Sequence, residues 1–78
     1  MITPAQIRGA RAMLELTQVD LANASGISKA SILDIETGRT EPKSSTLSSI
    51  QRALEKAGIV FVEGDGGGSG VRLRHSSE

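Results

Sequence analysis

Over the first 58 residues apolar side chains recur every three or four positions; beyond them they crowd into short runs. That change of period predicts helices followed by strands. Thr3 and Pro4 read as a hydroxyl cap and a first-turn proline, and Ile7, Ala10 and Leu14 make an amphipathic stripe, placing a first helix at 4–14. Thr17 caps a second helix at 18–24, with Leu21 and Ala22 inward, and Ser25, Gly26 and Ile27 break it. Ser28 caps a third helix running to Glu36 that buries Ile32 and Ile35, and Gly38 supplies a left-handed terminator. A polar loop at 39–43 contains Pro42. A fourth helix follows, capped by Ser44 or Ser45, with Leu47, Ile50, Leu54 and Ala57 inward and Gly58 at its end.

Ile59, Val60, Phe61 and Val62 form a β-branched run that reads as a strand. Val71, Arg72, Leu73 and Arg74 alternate apolar and cationic, as a half-buried strand does, with Arg72 and Arg74 on the solvated outer face. The glycine-rich stretch between them reads as a hairpin loop. The fold class is therefore mainly α, four helices with a C-terminal β-hairpin, organised as a helical domain at 1–58, a hairpin at 59–75 and a frayed tail at 76–78. The first strand is apolar on both faces, and a chain this small has little to cover the second face. An exposed strand edge invites pairing with another chain. The expectation is a homodimer with Ile59, Val60, Phe61, Val62, Val71 and Leu73 at the interface.

Composition narrows the function mainly by exclusion. The absence of cysteine removes disulfide scaffolds and thiolate metal sites. His75, the sole histidine, has no partner of metal-binding type, so no metal and no cofactor is expected. The glycines at 64–70 miss the spacing of phosphate-binding loops, and no Gly-Lys-Ser/Thr follows. No Ser/His/Asp arrangement suggests catalysis, so the chain is not expected to be an enzyme. No apolar run approaches the ~20 residues of a membrane span, and the start lacks the charged-then-apolar pattern of a signal peptide. The expected location is the cytoplasm, with no membrane partner. The zero net charge lacks the basic footprint usual for nucleic-acid binding. Phosphate contact, however, depends on where the cations sit rather than on their sum.

The most informative stretch runs from Gln18 to Gly38. Ala22 is small where two helices approach. Gly26 takes the positive φ of a tight turn. Ile27 plugs the corner, and Ser28 caps the next helix with its N-terminus outward. Ile32 and Ile35 hold that helix down, which leaves Lys29, Ala30, Ser31 and Asp34 free to face a groove. Leu33 faces neither core nor groove fully. Gln18, Leu21-Ala22, Gly26-Ile27-Ser28, Ile32, Ile35-Glu36 and Gly38 together resemble the Xre/Cro/C1 (lambda-repressor-like) helix-turn-helix family, at its spacing and without a gap. Pro42 and the 47–54 helix continue the resemblance, which spans 7–57.

The resemblance implies a four-helix lambda-repressor-like DNA-binding domain and specific residue roles. Lys29 and Ala30 would meet base edges, with Ser31 and Asp34 nearby. Gln18 and Ser28 would meet phosphate, as would Arg39, Thr40 and Lys43 in the loop. Arg11 and Glu36 match a family ion pair tying the first helix to the end of the third. Lys29 has the chemistry to donate to guanine or phosphate, and Ala30 to touch a thymine methyl. Asp34 is repelled by phosphate unless it accepts from cytosine or points away. The implied function is that of a small transcriptional regulator, most simply a repressor, binding double-stranded DNA. The alternative is an antitoxin or adaptor whose tail binds a toxin or regulator protein, with DNA binding secondary.

Overall fold

A computed structural model describes residues 1–64 and 68–74. The middle of the glycine loop at 65–67, His75 and the tail at 76–78 lie outside the described residues. The elements are α1 (Pro4–Leu14), α2 (Gln18–Ser25), α3 (Lys29–Glu36), α4 (Ser44–Lys56), β1 (Ile59–Val62) and β2 (Gly70–Leu73).

Local chemistry accounts for the helix starts. Thr3 and Thr17 each accept from the backbone N–H three residues on, while the side chains of Gln6 and Asp20 accept from the Thr3 and Thr17 N–H groups. These are reciprocal capping boxes. Ser28 accepts from the Ser31 N–H at 3.1 Å. The fourth start departs from expectation. Lys43 is the N-cap of α4 and offers no side-chain bond. Ser44 and Ser45 already lie inside the first turn, where a hydroxyl can no longer cap.

The ends divide by residue type. After α3, Gly38 has φ 74°; its N–H donates to the Ile35 carbonyl, and that of Arg39 to Asp34. That is a Schellman closure. After α1 the left-handed position falls to Glu15, at φ 57°. No glycine announces this end in the sequence, and a side chain there carries strain.

Ile7, Ala10, Leu21, Ile32, Ile35, Ile50, Leu54 and Ile59, together with Ile2, form one buried cluster. α2 packs against α3 and α4, α1 against α3, α4 and β2, and β1 against α4. Ala57 is exposed rather than inward, because at the C-cap of α4 the chain is already leaving the core.

β1 and β2 pair antiparallel, Ile59 with Leu73 and Phe61 with Val71. The hairpin shares the helical core instead of standing off it. Ile59, counted above among interface residues, is fully buried in its own chain, and Phe61 and Val71 pack partly against the same core. Val62 and Leu73 stay 39% and 50% exposed. Gln6 adds a polar bolt: its buried amide nitrogen donates to the carbonyls of Gly70 (3.0 Å) and Val62 (3.5 Å). Arg74 is exposed, as expected, and from there its guanidinium donates to the Glu55 carbonyl at the end of α4. Carbonyls in a last helical turn lack intrahelical partners and attract cations.

Candidate nucleic-acid interface

α3 is held by its rear face. Ile32, Ile35 and Glu36 are buried, while Lys29, Ala30, Ser31 and Leu33 are exposed and Asp34 is half-buried. The turn before α3 is equally determined. Gly26 sits at φ 76°. The Ser25 hydroxyl donates to the Leu21 carbonyl at 2.7 Å and accepts from the Ile27 N–H at 3.2 Å. Ile27 packs against the core. α3 therefore projects its N-terminal half outward from a fixed corner.

Its C-terminal end is clamped. Arg11 Nε donates to Glu36 Oε2 and Arg11 Nη2 to Glu36 Oε1, both at 2.8 Å. The remaining Arg11 terminal nitrogen donates to the Leu16 carbonyl at 2.9 Å. Gln18 Nε2 adds a bond to Glu36 Oε1 at 3.2 Å, and Arg8 donates to the Glu36 backbone carbonyl. One carboxylate thus joins α1, the start of α2 and the end of α3. Burial alone would push the Glu36 carboxyl up. The bonds from Arg11 and Gln18 and the charges of Arg11 and Arg8 outweigh it and hold the group below the usual carboxylate range. Asp20, fully exposed, is also held low, by the Thr17 N–H and then its hydroxyl.

The residues singled out in the sequence do not form one cluster. Ser31, Asp34, Thr40 and Lys43 line one open hollow of about 290 Å³ between α3 and the following loop, with Glu41, Pro42 and Thr46. Lys29 and Ala30 stand on the outer surface of α3, and Arg39 is exposed beyond its end. Gln18 is half-buried beside Glu36, with one amide hydrogen committed there and the second left over. The Ser28 hydroxyl is occupied twice, accepting from the Ser31 N–H and donating to Ser31 Oγ at 3.0 Å. Any contact it makes to an anion must displace that second bond. Lys43 caps α4 without a side-chain bond, so the first-turn N–H groups of α4 lack a side-chain acceptor.

Gln6 and Arg8 escaped the reading of the sequence. Thr3-x-x-Gln6 is a capping-box signature and was a usable signal for Gln6. Nothing local points to Arg8. No group of three or more His, Cys, Asp or Glu among the described residues is placed to hold a metal, and no helix of the described residues is long and apolar enough to cross a membrane.

Comparison with known families returns a match to the family described as helix-turn-helix over residues 7–58. No curated protein matches the sequence significantly.

Proposed function

The chain belongs to the helix-turn-helix family of Xre/Cro/C1-type DNA-binding regulators, and on that premise we propose that it binds double-stranded DNA sequence-specifically as a small transcriptional regulator, most simply a repressor that occludes a promoter. α3 is the reading helix, with its N-terminal half in the major groove. The observation that carries this reading is the division of α3: a buried, clamped rear face and an exposed front with Lys29, Ala30 and Ser31. Lys29 and Ala30 meet base edges, with Ser31 and Asp34 beside them. Arg39, Thr40 and Lys43 follow the phosphate backbone, and Gln18 offers it a free amide hydrogen. Glu36 fixes the Gln18 amide, so that hydrogen is already oriented.

A two-fold dimer pairs two such helices with half-sites about 34 Å apart. Support comes from Val62 and Leu73, large apolar residues left exposed on a two-stranded sheet with open edges. Deleting the hairpin is a poor test, since it removes Ile59 from the core and both acceptors of Gln6. Val62→Lys and Leu73→Lys leave the core alone. In sedimentation the wild type is expected to be a dimer and the double variant a folded monomer. A dimer unchanged by both lysines would overturn this interface.

The function itself is tested by selecting bound sites from random duplexes and comparing the selected site with a scrambled one at fixed salt. The expected result is a palindrome bound ~10³-fold or more tightly than the scramble. Equal affinity for the two would remove the sequence-specific reading and favour an adaptor that acts through its hairpin.

A further inference from the structure

Leu33 is the odd residue of α3. It lies three residues after Ala30 and four after Lys29, so on a helix it is the surface neighbour of both. It is 41% exposed, while Ile32 before it is fully buried and Ile35 after it nearly so. The core therefore has no use for Leu33. Its own chain leaves it on the same outward stripe that holds Lys29 and Ala30.

That stripe has little capacity for hydrogen bonding to bases. Lys29 is its only cation, and Ala30 and Leu33 bring only carbon. Asp34, half-buried, is drawn toward the loop hollow with Ser31, Thr40 and Lys43. Thr37 at the far end spends its hydroxyl on the carbonyls of Leu33 (2.8 Å) and Asp34 (3.3 Å). In the major groove one base-pair feature is apolar: the thymine 5-methyl group, which marks T·A against every other pair. An exposed leucine beside an alanine complements it by excluding water from methyl against methyl. The same surface is a poor match for the amino and carbonyl edges of G·C pairs, which would be desolvated without a partner.

We propose that Leu33, together with Ala30, is a specificity-determining contact that reads thymine 5-methyl groups in each half-site. This rests on the DNA-binding reading above. It makes recognition by this chain depend on methyl contacts, with Lys29 the one cation beside them.

The test replaces thymine by uracil, which keeps every hydrogen bond and removes only the methyl. The duplex is the site selected by the wild-type chain, and each thymine of a half-site is replaced in turn. Wild type is expected to lose about fourfold in affinity at one or two thymines, the equivalent of one buried methyl group. Leu33→Ala is expected to bind the thymine site more weakly and to be indifferent to uracil at the position Leu33 covers. Alanine is the strongest helix former and the site is open, so the variant keeps the fold; a matching circular dichroism melt checks this. Uracil effects equal in wild type and variant, or absent from both, overturn the proposal while DNA binding stands. So does a selected half-site without thymine, or a Leu33→Ala variant whose only change is its oligomeric state. Failure of the wild type to bind any duplex overturns the DNA-binding reading as well, and is a visibly different result.

Discussion

At its C-terminal end α3 is fixed by a carboxylate that receives bonds from two other side chains, in a setting 3% exposed. Toward its N-terminal end Lys29 and Ala30 are exposed, and Leu33, next to them on the helix surface, is exposed as well. The contrast separates two jobs that a helix of eight residues must do together. An isolated helix so short would not persist in water, so its rear must be held by tertiary contacts if its front is to present a surface. The rear is then intolerant of change for reasons of stability, and the front tolerant in stability but decisive for what is bound.

The comparison breaks most visibly at the clamp. Arg11→Ala leaves the buried Glu36 carboxylate with little beyond Gln18, and is expected to cost about 3 kcal/mol, read as a fall in the denaturant midpoint with unchanged slope. A loss below about 1 kcal/mol would mean that the clamp is ornamental. Next in size is Gln6→Ala, which removes half of a capping box and both amide donors to the hairpin. Its expected cost is about 2 kcal/mol from the loss of buried hydrogen bonds, with hydrogen exchange in β1 and β2 accelerated more than in α3.

Acid sharpens the same point. The Glu36 carboxyl is lower in the folded chain than in the unfolded one. Its stabilisation is therefore complete above the ordinary carboxylate value of about 4.3 and is lost as pH falls through the lower folded value. Asp20 acts in the same direction. Stability should decline below about pH 4.5 in wild type, and less steeply in Glu36→Gln once its lower starting stability is subtracted. A parallel decline in both would take Glu36 out of the acid response.

A smaller effect has the opposite sign. Gly9 lies in α1 facing β2, and a methyl group added there would meet the Val71 side chain at 3.5 Å, an ordinary contact. Gly9→Ala should stabilise by about 0.5–1 kcal/mol through helix propensity. Destabilisation would show that α1 and β2 are already as close as they can be.

Much of the scaffold was legible because its signals are local. Thr3, Thr17, Ser28, Gly26 and Gly38 act within a few residues of where they stand, and the three-to-four spacing of Ile7 and Ala10, of Ile32 and Ile35, and of Leu47, Ile50 and Leu54 reports the faces that meet. What stayed illegible depends on distant partners. The bond from Arg74 to the carbonyl of Glu55, and those from Gln6 to the carbonyls of Val62 and Gly70, join residues 19 to 64 positions apart, and nothing local announces them. The hairpin's apolar residues looked alike in sequence. Only packing separates Ile59, spent on the core, from Val62 and Leu73, which remain open. Resemblance, rather than spacing, suggested Arg11 with Glu36. The added bonds from Arg8 and Gln18 belong to the three-dimensional arrangement alone.

The most direct test uses Lys29→Ala, a change at the front that leaves the rear untouched. Its melting midpoint should match wild type to within about 0.5 kcal/mol of stability, as for surface substitutions generally. Its affinity for the selected operator should fall about tenfold, in the range of a lost base contact, with a smaller loss on scrambled duplex. An operator-to-scramble ratio unchanged by Lys29→Ala, in a chain that still binds DNA, would contradict the assignment of α3 as the reading helix.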